Sequence, residues 1–156
     1  MEKLIMTRSA SDNTYLHKDF HGALSTGIDY LEANYGADAV QEFLRRFTNS
    51  YYAPVKADLK ERGLIALKEH FEKVYGIEGG SISIDLTEDT LVLKVEACPA
   101  LAHMRENGMK VASLFFETDR TVDDALCEGT PYAAEFIAYE EETGRSIRKF
   151  FRRGQS

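Results

Sequence analysis

At Gly79-Gly80 the hydrophobic period of the chain changes, and that change sets the fold class. Upstream, apolar residues recur at the spacing of helices with one buried face. The runs are Phe20, Leu24, Ile28, Leu31 and Tyr35; then Val40, Phe43, Leu44, Phe47 and Tyr51; then Val55 and Leu59; then Leu64, Leu67, Phe71 and Val74. Asp19 suits the N-cap of the first helix, Gly36 its end, and Pro54, Gly63 and Gly76 punctuate the rest. Downstream, Ile82, Ile84 and Leu86 alternate with Ser81, Ser83 and Asp85, the period of a half-buried strand. Glu88-Asp89 turns the chain into a second strand, Thr90 to Ala97. A helical or irregular segment from Pro99 to about Glu128 precedes two more strands, Tyr132–Glu140 and Arg145–Arg152. Gly144 suits the left-handed position of the loop between them. Helices first and hairpins later predict an α+β fold, with N-terminal helices packed on one face of a C-terminal antiparallel sheet of about four strands. Residues 1–14 are expected to form a loosely held tail, and residues 15–156 a single α+β domain.

Charge narrows the partners. The formal net charge is −7, with no long basic stripe to offset it. Neither nucleic acid nor an anionic membrane suits such a chain. The basic cluster from Arg145 to Arg153 alternates with apolar residues and is expected to form the exposed face of a strand. No apolar run resembles a secretory signal or a membrane span. The 2 cysteines, Cys98 and Cys127, make no disulfide framework, so a reducing cytoplasm is the expected compartment. Zinc-finger spacing, a Walker loop and a G-x-G-x-x-G turn are absent from the sequence, and no cofactor or metal is expected. The expected partner is a small molecule, with self-association left open.

Three short stretches carry residues suited to chemistry. Cys98-Pro99 ends an alternating run and opens a helical one, which places Cys98 at an N-cap. There the backbone N–H groups and the helix dipole favour a thiolate; the alternative is a small buried hydrophobe at a strand-to-helix corner. His103 lies five residues on, past the face that Cys98 occupies. His17-Lys18-Asp19-Phe20-His21 offers Asp19 and His21 for a pocket, a metal-binding pair if an early helix start puts His17 and His21 on one face, or simply a capping Asp19 with surface histidine. Glu117 and Asp119 stand beside Phe115 and Phe116; a carboxylate held against apolar rings is suited to acid–base work near neutral pH. The alternative is that Asp119 or Thr121 caps the following helix, with Arg120 neutralising a neighbouring acid. Cys127, in the turn before the third strand, is either core packing or a neighbour of Cys98 across the sheet.

With these residues in view, the chain resembles the L-2-amino-thiazoline-4-carboxylic acid hydrolase-like family. The resemblance runs through Asp19-Phe20-His21-Gly22, Cys98-Pro99, a helix ending near Gly108, Leu114-Phe115-Phe116-Glu117-Thr118-Asp119 and Arg148-Lys149-Phe150-Phe151-Arg152. Phe116 stands where the family pattern has a cysteine, and no cysteine falls between Ser146 and Phe151. The resemblance implies a hydrolase that adds water to the amidine-like carbon of a thiazoline ring and opens a C–N bond. Such chemistry takes a base, an acid and a cation for the substrate carboxylate. The resemblance then implies Asp119 or Glu117 as base, His21 or His103 as acid, and Arg120 or Arg148 as carboxylate clamp. Cys98 is the alternative nucleophile; Asp19 and Cys127 complete the expected pocket. The competing expectation is a non-catalytic sensor domain holding a small ligand in the same pocket.

Overall fold

The computed structural model describes residues 19–154. The expected tail at residues 1–14, His17 and the Asp19 side chain lie outside what it describes. Among the described residues four helices come first: α1 (Asp19–Tyr35), α2 (Ala37–Tyr51), α3 (Ala53–Arg62) and α4 (Ile65–Glu78). They are followed by β1 (Ile82–Leu86), β2 (Thr90–Val95), α5 (Pro99–Glu106), α6 (Glu117–Cys127), β3 (Tyr132–Tyr139) and β4 (Ser146–Arg152). The strands form one sheet in the order β1-β2-β4-β3, every pairing antiparallel. The expected α+β architecture is therefore present, with α5 and α6 inserted between the two hairpins.

The sheet buries the face that carries Leu91, Leu93 and Val95 on β2 and Phe150 on β4. Leu59, Leu67, Phe71 and Leu126 from α3, α4 and α6 pack against it as one apolar cluster. Full burial of a side chain of this size stabilises the fold by about 1.5–3 kcal/mol. A second cluster joins Ile28, Val40 and Leu44 of α1 and α2 to Leu101, Met104 and Phe115. Ser25, wholly buried, ties α1 to the segment before α6: its hydroxyl donates to the Lys110 carbonyl at 2.9 Å and accepts from the Ala112 N–H at 2.8 Å.

Several expectations from periodicity need correction. The buried stripe of α2 is Val40, Leu44 and Thr48, while Phe43 and Tyr51 face solvent. Phe20 and Tyr35 of α1 are likewise exposed. Helix α4 runs through Gly76 and stops at Gly79, whose left-handed φ of 76° terminates it without a Cβ penalty. Most consequential is β4. Its basic residues do not all face outward, because the strand alternates and Phe150 is fully buried. Arg148, two residues away, must enter the same interior.

Candidate functional site

Cys98 takes the N-cap position of α5 in extended conformation, with Pro99 opening the helix. The β3–β4 turn closes over it. Its N–H donates to the Thr143 carbonyl at 2.9 Å, and Arg105 donates through Nη1 and Nη2 to the Glu142 and Glu141 carbonyls. Burial pushes the Cys98 thiol up to about 11, Asp119 adds to that, and the Leu101 and Ala100 N–H groups pull the other way. The helix-end advantage is thus real but outweighed. The expected thiolate is corrected to a neutral thiol, because desolvation penalises the charged form more than two backbone donors favour it.

Beneath this corner lies the buried guanidinium. Arg148 is 4% exposed. Its Nε and Nη2 donate to Asp123 Oδ2 and Oδ1 at 2.7 and 2.9 Å, a bidentate pair. Nη1 donates to the Tyr75 hydroxyl at 3.0 Å and lies 3.4 Å from Asp119 Oδ1. The guanidinium carbon sits 5.1 Å from the centre of the Phe71 ring. Asp119 and Asp123, one helical turn apart on α6, present their carboxylates to the same cation. Burial works against the Arg148 charge, but Asp119 and Asp123 outweigh it and hold its pKa well above the ordinary value. Burial raises Asp123 to about 6 even beside that cation.

Phenols enclose the carboxylates. Burial pushes the Tyr75 phenol well up; burial also raises Tyr52, to about 12, with Tyr51, Glu78 and Asp119 adding to that shift. Tyr139, also raised to about 12 by burial, feels both Asp119 and Cys98. His70 is held neutral near 4 by burial and by Arg148. Ser146, on the same strand face as Arg148, has a buried hydroxyl without a hydrogen-bond partner among the described residues. An unsatisfied buried hydroxyl costs about 1–3 kcal/mol unless something polar meets it.

The structure brings Cys98, Asp119 and Arg148 together, and links His21 to them indirectly. His21 Nε2 lies 2.5 Å from Glu78 Oε1, and Glu78 in turn contributes to the raised pKa of Cys98 and of Tyr52. Glu117 does not join them. Two residues before Asp119, it points to another side of α6, buried at 1% and held by Arg120 and Thr121. Neither Asp119 nor Thr121 caps the helix, because the N-cap position is Phe116 and both lie inside. Arg120 stacks on Phe116 at 4.9 Å. His103 sits in the last turn of α5, with Nδ1 3.4 Å from the Asn107 amide. Cys127 is a core residue of the sheet cluster, whereas Cys98 packs on the other cluster, so the two do not pair. Asp19 opens α1.

Asp123, Tyr75, Tyr52, Glu78 and Ser146 escaped the sequence. A signal for Asp123 was present: it repeats Asp119 four residues on, and Arg148 stands in phase with Phe150. Among the described residues no group of three or more His, Cys, Asp and Glu could hold a metal ion, and no helix is long and apolar enough to cross a membrane. No protein-family model, curated protein or solved structure matches the chain.

Proposed function

We propose that the chain is a hydrolase of a small cyclic amidine, opening a C–N bond of a heterocyclic or amino-acid-like substrate. One observation carries this: Asp119 is a surplus carboxylate, 3.4 Å from an Arg148 guanidinium already committed bidentately to Asp123. Arg148 holds one acid in place and leaves the second charge for a ligand. A protonated amidine presents paired N–H donors that suit a carboxylate. Arg148 is then a positioning residue and not the clamp for a substrate carboxylate, since Asp123 and Tyr75 take its Nε, Nη1 and Nη2 donors.

The same arrangement ranks the possible routes. Cys98 is a neutral thiol at pH 7 and a poor nucleophile without prior deprotonation. Glu117 is occupied by Arg120 and Thr121. Asp119 is the remaining base: one carboxylate oxygen holds an amidine N–H, and the other accepts a proton from water as the water oxygen bonds to the amidine carbon. The C–N bond then breaks as the leaving nitrogen takes up a proton, with the His21–Glu78 pair as donor. Ser146 supplies a hydroxyl for the developing tetrahedral centre.

The decisive experiment incubates the protein with 2-amino-thiazoline-4-carboxylate and related cyclic amidines and follows ring opening by the free α-amino group that C–N cleavage leaves. Turnover that Asp119→Asn reduces at least about a hundredfold, with binding retained, supports the hydrolase. Binding of these amidines without turnover supports a sensor domain instead, and absence of both rejects the amidine class.

A further inference from the structure

We propose that a second site, the cleft between the start of α6, strand β3 and the β3–β4 turn, binds a planar aromatic carboxylate. The cleft encloses about 400 Å³, enough for a molecule of one or two rings. Its wall is aromatic. Phe116, Phe136 and Tyr139 form a closed triangle with ring centres 6.4, 5.9 and 5.7 Å apart. Such a wall offers a flat ligand offset stacking that an aliphatic wall does not.

Two guanidinium groups flank the rings. Arg120 lies over Phe116 with its side chain 44% exposed, while Glu117, its ion-pair partner, is 2% exposed at the side chain. The cation lines the cleft, while the acid in contact with it is buried and does not. Arg105 gives Nη1 and Nη2 to the main-chain carbonyls of Glu142 and Glu141, neutral acceptors that leave its charge uncancelled. Each guanidinium is exposed and keeps an N–H group beyond these bonds, Arg105 at Nε and Arg120 at Nη1, with which to meet a carboxylate. Glu141 is the counterweight: its exposed carboxylate lines the same cleft and opposes an anion. Two presented cations against one exposed acid favour the anionic ligand.

The site is distinct from the cluster around Arg148 and does not depend on the proposed hydrolysis. Tyr139 is their common wall, because it lines the cleft and also feels Asp119 and Cys98.

The test is calorimetric titration of the whole chain with 2-naphthoate, 2-naphthylmethanol and 2-naphthylmethylamine, which share a ring system and differ in charge. The acid should bind tightest and the amine weakest. Binding of the acid should weaken with salt, fall roughly tenfold in Arg105→Gln, and strengthen in Glu141→Gln. Phe136→Leu, which keeps an apolar side chain, should weaken all three ligands alike by removing the stacking surface. Equal or tighter binding of the alcohol or amine by the wild type overturns the proposal, and so does acid binding that ignores both Arg105→Gln and Phe136→Leu.

Discussion

Gly144 approaches Cys98 so closely that a β-carbon built on the glycine would lie 2.4 Å from the Cys98 β-carbon. The contact joins the β3–β4 turn to the N-cap of α5, and it comes with a backbone hydrogen bond from Cys98 to Thr143 and a left-handed φ of 71° at Gly144. A single small residue therefore both shapes the turn and lets it cover the cysteine.

Gly144→Ala should be costly for two separable reasons. The left-handed conformation penalises any Cβ by about 1–2 kcal/mol. The new methyl also meets Cys98 close to its own backbone, which cannot swing away, and overpacking of that kind costs about 1–3 kcal/mol. Urea unfolding should show a combined loss of about 2–5 kcal/mol, and alkylation of Cys98 should speed up as the turn lifts. A loss below about 0.5 kcal/mol would mean that the turn does not rest on Cys98.

Asp123 makes stability depend on pH with a definite sign. Its folded pKa, about 6, lies above the ordinary 3.8, so the folded state holds the proton more tightly than the unfolded chain does. Its contribution is complete below the unfolded value and is lost as pH rises through about 6. Measured against Asp123→Asn, the wild type should lose about 2 kcal/mol between about pH 4 and about pH 7. A gap that stays constant, or that widens in favour of the wild type as pH rises, contradicts a desolvated Asp123.

How far sequence reached is clear from β4. Ser146-Ile147-Arg148-Lys149-Phe150-Phe151 has apolar residues in both phases of the alternation, so periodicity cannot choose which face is buried. The tertiary structure chooses Phe150, which packs on Phe71, and Arg148 follows it inward. That one phase separates an exposed basic strand from a buried ion cluster. Cys98 was legible because proline marks the helix start locally, and Asp119 because its side chain needs only the helix that Val122 and Leu126 announce. Tyr52, Tyr75 and Glu78 were not, since their role depends on how α3 and α4 lie across the sheet. The pKa of Cys98 failed for the same reason: a cap is local, whereas burial and Asp119 are not.

Breaking the buried ion cluster on one side should cost more than replacing both partners. Arg148→Met leaves Asp119 and Asp123 facing an apolar interior and should lower stability by about 3–5 kcal/mol. Adding Asp123→Leu removes the stranded charge nearest the core, and the double variant should recover part of that loss. Thermal unfolding of the two single variants and the double variant measures the coupling. Additive losses would show that Arg148 and Asp123 do not sense each other.

Cysteine labelling tests the Cys98–Asp119 relationship without assuming any activity. At about 11 against an ordinary 9.0, Cys98 has roughly a hundredfold less thiolate at pH 7 than an unperturbed thiol, and it should alkylate slower by about that factor. It should still outpace Cys127, which is 1% exposed and pushed by burial to about 12. Asp119→Asn removes a charge that raises the Cys98 pKa, so labelling of Cys98 should accelerate several-fold, with its pH midpoint moving down. Cys127 answers to Asp123 and Asp124 instead, so its rate should hold in the same variant and serve as an internal control for unfolding. If both cysteines accelerate together, the substitution has loosened the fold. If neither does, Asp119 and Cys98 do not share the site.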